Sequence, residues 1–152
     1  MGESPWPDVA GRIVEDENGR RHVLPVRVYF EDTDAGGVVY HASYVRYCER
    51  GRTDFLRLSG IDARGLIDGS QSSEPAAFVV RRMTLDFRRP ARMDDLLQVE
   101  TSVRELGGAS LTVDQRITRD GATIFEAVVT VVLVAVSGKP LRLGELVRSS
   151  LS

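Results

Sequence analysis

The segment from residue 29 to residue 41 concentrates the side chains that could do chemistry. It places three carboxylates, two glycines and one of the two histidines directly before a predicted helix: Glu31, Asp32, Asp34, Gly36, Gly37 and His41. The N-terminus of a helix presents backbone N–H groups without intrahelical acceptors and about half a positive charge. Such donors can stabilise the oxyanion that develops when a carbonyl group is attacked.

Asp34 lies just upstream of these donors. A carboxylate there could attack a carbonyl carbon or activate a water molecule. Gly36 and Gly37 lack a Cβ atom, so the backbone between Asp34 and the helix could approach a ligand closely. The combination predicts acyl transfer or hydrolysis. An aspartate before a helix also commonly caps it or forms an Asx-turn, and the residues alone leave both interpretations open.

Other carboxylates near this segment have simpler interpretations. Asp32 is predicted to be a turn residue or a subunit contact, because two close carboxylates would raise the pKa of one of them. Glu49 on the helix is the nearest alternative base, but the neighbouring arginines favour a salt-bridge network: Arg46, Arg50 and Arg52. A calcium loop is excluded because its fifth and twelfth positions would be Gly36 and Ser43. No metal site is predicted.

A strand and a long helix must position the segment. Residues 25–32 have the β-branched and aromatic content of a strand. From about residue 40 the apolar residues recur at intervals of three and four, which predicts a helix ending near Gly60. These apolar residues form a stripe along one face of the helix. Because Gly51 lies in the stripe and has no side chain, another element is predicted to pack very close to the helix backbone there. The residues of the stripe are Tyr44, Cys48, Gly51, Phe55 and Leu58.

The second half of the chain predicts strands. After a polar loop at 63–75, alternating residues indicate a meander of four strands, with an irregularity at 81–82 and turns at 107–108 and 119–121. The last strand is apolar on both faces, so its outer face is predicted to pack against a second subunit. The fold class is therefore α+β, a five-stranded antiparallel sheet wrapped around one long helix.

Length and composition bound the remaining possibilities. With 152 residues, 42% of them hydrophobic, the chain suits one domain, predicted at 21–152 after a flexible extension at 1–20. Asn18-Gly19 could close a small hairpin. The net charge of −2 argues against nucleic acid or an anionic membrane as the main partner. Cys48 alone excludes an internal disulfide, and no secretory signal or membrane-spanning segment is evident, so we expect a cytoplasmic location.

The stretch "RVYFEDTDAGGVVYHASYVRYCERGR", residues 27–52, closely resembles the signature of the YbgC-like acyl-CoA thioesterases, a bacterial group related to the 4-hydroxybenzoyl-CoA thioesterases. The resemblance continues through residues 78–95 and 107–117 and covers about residues 25 to 136. It implies a hotdog fold and active sites at a dimer interface, commonly with dimers paired into tetramers. It also implies hydrolysis of acyl-CoA thioesters without a metal or prosthetic group.

The resemblance assigns roles to individual residues. The family's catalytic aspartate corresponds to Asp34, the histidine of "GVVYH" to His41, and the N–H that polarises the thioester carbonyl to about Tyr40 or His41. Relatives have a second tyrosine before "EDTD", whereas this chain has Phe30. If the hydroxyl of that tyrosine positions substrate or water in the relatives, Phe30 cannot replace it, and the rate or the substrate preference would differ; the aspartate is retained. A cluster of arginines is predicted to bind the coenzyme A phosphates, with an ordinary solvated strand face as the alternative: Arg81, Arg82, Arg88, Arg89 and Arg92.

Two other functions are considered. The first is a non-catalytic protein that binds acyl-CoA or acyl carrier protein and is linked to the Tol–Pal envelope system, a reading supported only by Phe30. The second is a hotdog dehydratase, which would need another histidine in the site, and His22 precedes the first predicted core strand. The sequence does not separate a nucleophilic Asp34 from a general base, and it does not indicate the length of the acyl group.

Overall fold

The structure, a computed structural model, describes residues 11–72 and 74–151. Its strands are β1 (Arg12–Asp16), β2 (Gly19–Arg27), β3 (Ala76–Phe87), β4 (Leu96–Leu106), β5 (Ser110–Arg119) and β6 (Ala122–Ala135). Its helices are α1 (His41–Leu58), α2 (Ala63–Ile67) and α3 (Glu145–Leu151). Over these two ranges, none of the helices has the length and apolar character needed to cross a membrane.

The strands form one antiparallel sheet in the order β1-β2-β4-β5-β6-β3, and α1 packs against one of its faces. The prediction of an α+β protein with a sheet built around one long helix is confirmed. The predicted four-strand meander is wrong in one connection. Only β4, β5 and β6 follow one another, because β3 pairs with β6 and forms the far edge of the sheet. The irregularity predicted at 81–82 is present as a register shift between Val80 and Arg82.

The N-terminal half differs from the prediction in two places. The sheet has six strands because the hairpin at Asn18-Gly19 adds β1 to its edge, so the predicted domain start at residue 21 lies inside the sheet. The predicted first part of the extension, residues 1–10, lies outside the described residues. The strand predicted at 25–32 ends at Arg27, and residues 30–32 form a short 3-10 turn instead. Leu58 is exposed, although its spacing placed it on the buried stripe of α1.

Helix α1 approaches the sheet most closely at Gly51. A Cβ atom on this residue would lie 2.8 Å from Val99 Cγ1, 3.2 Å from Thr101 Oγ1 and 3.3 Å from Gln115 Nε2. Gln115 is buried, and its Nε2 donates to the backbone oxygen of Cys48 and to Thr101 Oγ1, each at 2.9 Å. The close packing predicted from Gly51 is confirmed, and one side-chain amide ties the helix backbone to the sheet.

We expect Gly51→Ala to destabilise the protein. Alanine favours a helix by about 1 kcal/mol over glycine, but forcing a methyl group against a buried valine costs about 1–3 kcal/mol and disturbs the Gln115 contacts. Urea unfolding should therefore give a lower free energy of unfolding for Gly51→Ala. Thr53→Ala on the exposed face of α1 is the control and should stay within about 0.5 kcal/mol of wild type. Equal or higher stability of Gly51→Ala would contradict the close approach.

A buried polar cluster joins β2 to the second half of α1. His22 Nε2 lies 2.6 Å from Asp54 Oδ2, which also accepts the N–H of Gly11 at 2.8 Å, while Arg57 binds Asp54 Oδ1. Both His22 and Asp54 are buried. Burial lowers the pKa of His22, and it outweighs the opposing effect of Asp54. In the described part of the chain His22 Nδ1 has no hydrogen-bond partner, so the neutral imidazole fits this position.

This cluster predicts that stability falls with acidification. The unfolded imidazole binds a proton near its ordinary pKa of 6.5, whereas the folded one resists protonation. The contribution of His22 to the free energy of unfolding should therefore be greatest above pH 6.5. Below that pH it should decrease, by at most about 1.4 kcal/mol per pH unit. His22→Gln keeps a donor for Asp54 but does not titrate, so its stability should depend less on pH in this range. Parallel curves for the two proteins between pH 7.5 and pH 5.5 would refute this account.

Candidate active site

The turn between β2 and α1 is a small, tightly bonded hairpin. Thr33 pairs with Val39, and the N–H of Asp34 donates to the oxygen of Val38 at 2.9 Å. The N–H of Gly37 donates back to the oxygen of Asp34 at 3.0 Å. Gly37 has a φ of +80°, a conformation that glycine adopts without strain. Local hydrogen bonds therefore hold the segment that carries Asp34.

The side chain of Asp34 forms an Asx-turn. Its Oδ1 accepts the N–H of Gly36 at 2.8 Å, and the residue is exposed. The Oδ2 atom has no partner within residues 11–72 and 74–151. The Asx-turn that the sequence left open is thus formed. It uses only one oxygen of the exposed carboxylate, so the other remains available for chemistry.

Asp32 organises the start of α1 from a buried position. Its backbone oxygen accepts the N–H of Tyr40 at 2.9 Å and the hydroxyl of Ser43 at 3.2 Å. Its Oδ2 accepts the N–H of Tyr29 at 2.8 Å. Burial, followed by the nearby charge of Asp32, raises the pKa of Tyr47, so this phenol stays neutral. The turn role predicted for Asp32 is confirmed.

The free backbone donors at the helix start begin at His41. Tyr40 is the N-cap, and its own N–H is occupied by Asp32. The backbone N–H groups of His41 and Ala42 have no acceptor among the residues that the structure describes. Of the predicted pair, Tyr40 and His41, only His41 can offer its amide to a ligand. The helix dipole adds a partial positive charge at this position.

A cavity of about 360 Å³ lies beside this helix end. The His41 ring faces Phe87 edge-on at 6.4 Å between centroids, and Tyr44 stacks on Phe125 at 5.2 Å. The Tyr44 hydroxyl accepts the N–H of Ala91 at 3.0 Å, and burial raises the pKa of Tyr44. The sequence did not reveal the aromatic side chains around this cavity, although Tyr44 lies one helical turn after His41. The cavity is lined by His41, Tyr44, Phe87, Arg88, Arg89 and Pro90. Asp34 is absent from its lining within the protomer.

The structure does not gather the predicted arginine cluster into one site. Arg88 and Arg89 line the cavity, and Arg92 is near because its backbone pairs with Val38. Arg81 and Arg82 lie on the edge strand β3, and even the nearer of them, Arg82, is six residues before Arg88, which is about 20 Å at 3.3 Å per residue. Arg88 is also engaged in ion pairs with two carboxylates, at 3.0 and 2.9 Å: Asp86 and Glu126.

Glu49 is poorly placed to replace Asp34. It is exposed and stands eight residues after His41, about 12 Å along the helix axis. The predicted salt-bridge network around it is wrong, because no arginine of the described chain lies within 4.0 Å of its carboxylate. The neighbouring arginines have other contacts: Arg46 with Ser43, Arg50 over the ring of Tyr47, and Arg52 with Gln115. Within the described ranges, no group of three or more potential metal ligands is present.

Comparison with known proteins places this site in context. A sequence model of the Thioesterase superfamily matches residues 36–126, beginning two residues after Asp34. The Acyl-CoA thioester hydrolase YbgC of Escherichia coli O6:H1 is 50% identical over 111 residues, which is 72% of this chain and 79% of that protein. The Acyl-CoA thioesterase YbgC of Haemophilus influenzae is 45% identical over 111 residues, or 73% of this chain and 79% of that protein.

A solved structure extends the similarity to three dimensions. The probable thioesterase from Bartonella henselae superposes with a TM-score of 0.79 at 41% identity. The match covers 82% of this chain and 99% of that one. This similarity shows that the two proteins share their fold over the matched part of this chain.

Proposed function

Because the chain belongs to the thioesterase superfamily, we propose that the turn between β2 and α1 is its active site and that Asp34 is the catalytic carboxylate. The chain has the hotdog fold and is an acyl-CoA thioester hydrolase. One observation supports this site: within the described residues, Asp34 in the turn has a carboxylate oxygen without a partner, and His41, the first residue of the helix that follows, has an N–H without an acceptor. Relatives named as hydrolases do not favour the non-catalytic binding alternative.

The proposed chemistry divides between these two groups. The thioester carbonyl oxygen accepts hydrogen bonds from the N–H of His41 and of Ala42, which stabilise the negative charge that develops on it. Asp34 either attacks the carbonyl carbon or removes a proton from an attacking water. In both routes the C–S bond breaks and the thiolate of coenzyme A leaves and takes up a proton. In the first route water then hydrolyses the acyl–Asp34 anhydride.

We propose that a second subunit completes the site, because Asp34 and the cavity are separate within one protomer. Strand β3 is a twelve-residue edge with an unpaired side, and such edges are normally covered. Val79 and Val80 on it are each 46% exposed. The outer face of β6 supports a further contact between dimers through three partly buried valines: Val128, Val132 and Val134.

Further parts of the proposal concern ligands and cellular context. Arg88 and Arg89 line the cavity and are the best placed of the five arginines to contact the phosphates of coenzyme A, with Arg92 next to them. We also propose a homotetramer in the cytoplasm, with acyl carrier protein as a second partner and an association with the Tol–Pal system. The resemblance of residues 27–52 to the YbgC-like thioesterases supports these last assignments.

The role of Asp34 predicts the effect of Asp34→Asn. Asparagine keeps the Oδ1 bond to Gly36 but removes the negative charge, so turnover of acyl-CoA should fall by at least about a hundredfold. The thermal midpoint and the binding of a non-hydrolysable acyl-CoA analogue should remain near wild type. The kinetic assay therefore separates catalysis from the structural role of the Asx-turn.

Asp68→Asn is the matched control for this experiment. Asp68 is also exposed and forms an Asx-turn, with its Oδ1 accepting the N–H of Ser70 at 2.8 Å, but it lies after α2. Its variant should keep full turnover. A folded Asp34→Asn protein with undiminished turnover would refute the mechanism and redirect attention to Glu49. Labelled water, followed by mass analysis of the peptide that contains Asp34, distinguishes the two routes, because only the anhydride route transfers label into Asp34.

The role of the His41 amide predicts a difference between two substitutions. Proline is well tolerated at the first position of a helix, and Tyr40 already has a φ of −63° and a ψ of 136°, which suit the residue before proline. His41→Pro deletes the N–H without breaking a hydrogen bond seen in the structure, whereas His41→Ala deletes only the imidazole. Turnover of His41→Pro should be at least about a hundredfold below that of His41→Ala.

Both variants should retain the wild-type thermal midpoint within a few degrees. Equal turnover of the two folded proteins would exclude the His41 amide as an oxyanion donor. The comparison of His41→Ala with wild type separately measures the contribution of the imidazole ring.

A further inference from the structure

Helix α1 leaves part of the inner face of the sheet open. It packs mainly on β1, β2 and β4, and a groove of about 320 Å³ remains between it and strands β3, β5 and β6. The groove is largely apolar, and water occupies about 30 Å³ per molecule, so it has room for on the order of ten non-hydrogen atoms. Its apolar lining includes Val45, Leu56, Phe78, Met83, Leu111 and Val131.

The groove and the cavity at the candidate active site are lined by the same two elements, α1 and the strand β3 with the residues that follow it. On α1, Val45 lines the groove one turn after His41, a separation of about 6 Å along the axis. On β3, Met83 lines the groove and Phe87 lines the cavity, about 13 Å apart and on the same face of the strand. Helix α1 and strand β3 therefore both extend from the candidate site to the groove. An acyl group held at the His41 amide can extend between them into the groove.

Arg52 is an unusual charge to find in such a groove. It lines the groove and is partly buried, and burial lowers its pKa. One Nη atom donates to Gln115 Oε1 at 3.0 Å. Gln115 is itself fixed by the two bonds of its Nε2 atom to Cys48 and Thr101, so it holds the guanidinium in place. No carboxylate of the described chain lies within 4.0 Å of Arg52.

A poorly solvated guanidinium without a counter-ion is unfavourable, and proteins normally pair such a charge. Asp54, two residues further along the helix, shows the usual arrangement, since it is bound by Arg57, His22 and the N–H of Gly11. Glu49 also lines the groove, and its charge raises the pKa of Arg52, which opposes the effect of burial. It is exposed, however, and within the described chain it forms no ion pair with Arg52 at 4.0 Å or less. The remaining donors of Arg52 are therefore available to an anionic oxygen of a ligand.

We propose that this groove binds the acyl group of the substrate and that Arg52 binds a carboxylate at its far end. The inference rests on the proposed function and narrows its substrate class to acyl-CoA thioesters of medium length whose acyl group ends in a carboxylate. Arg52 stands eleven residues after His41, about 16 Å along the axis, and its side chain leans back toward the helix N-terminus. An acyl group of roughly ten atoms fits this separation and the volume of the groove.

The test compares two substrates of nearly equal size, adipoyl-CoA and heptanoyl-CoA, which differ in the terminal carboxylate. Wild-type protein should have a kcat/KM at least about tenfold higher for adipoyl-CoA, because a charge-assisted pair with arginine forms only with that substrate. Arg52→Met should lower kcat/KM for adipoyl-CoA by at least about tenfold, mainly through KM, and leave heptanoyl-CoA within about threefold. The ratio of the two values is independent of the folded fraction, so a destabilised variant stays informative.

Two further variants control for charge and geometry. Arg50→Met removes the same charge from the same helix, but Arg50 lies over the ring of Tyr47 at 5.8 Å, outside the groove, so the ratio should not change. Arg52→Lys keeps the charge but loses the paired donors, so it should retain part of the preference.

The outcomes separate this inference from the function on which it rests. Wild-type protein that hydrolyses no thioester of a broad acyl-CoA panel would overturn both. Hydrolysis without a preference for adipoyl-CoA, or a preference that Arg52→Met leaves intact, would overturn only the role of Arg52. A fall of both substrates together in Arg52→Met, with a changed oligomeric state in sedimentation, would also overturn it and identify Arg52 as a subunit contact.

Discussion

The close contact between α1 and the sheet at Gly51 is the constraint on which the rest of the molecule depends. In the part of the chain that the structure describes, α1 is the one long helix that buries the inner face of the six strands, so its position decides which part of that face is covered. The missing side chain at Gly51 lets the helix backbone approach Val99 and Thr101, and Gln115 ties it there through the oxygen of Cys48. Because the contact lies over β4 and β5, the side of the helix that faces β3 keeps an open groove.

The same contact aims the N-terminus of the helix at the candidate site. With the middle of α1 held against the sheet, its first turn projects beside Phe87 at the end of β3. Asp32 then completes the arrangement, since its backbone oxygen occupies the Tyr40 amide and leaves that of His41 free. A helix start normally has several unbonded N–H groups, and here the preceding turn satisfies that of Tyr40.

Asp54 and Arg52 are two charged residues of α1 that differ in how their charges are paired. Asp54 is surrounded by donors from β2, from the segment before β1 and from its own helix, so its charge contributes to holding the elements together. Among the described residues Arg52 has one hydrogen-bond partner, the neutral Gln115, and no carboxylate within 4.0 Å, and an open groove lies beside it. The charge of Asp54 is paired within the protein. An ion-pair partner for Arg52 has instead to come from outside the described chain, for example from a ligand.

Sequence and tertiary structure determined different parts of this protein. Local patterns were sufficient for α1 and for the glycine turns, because each depends on residues a few positions apart. The glycine within the apolar face of α1 also indicated a close approach at Gly51, whereas the sequence left the Asx-turn at Asp34 open beside a catalytic role. The motif at residues 27–52 was sufficient for the family. Only the tertiary structure decided that β3 pairs with β6, that the five arginines separate and that the Tyr40 amide is bonded to Asp32. It also decided that Arg52 has no carboxylate within 4.0 Å in the described chain. Each of these depends on which distant segments meet, and spacing along the chain carries no information about that.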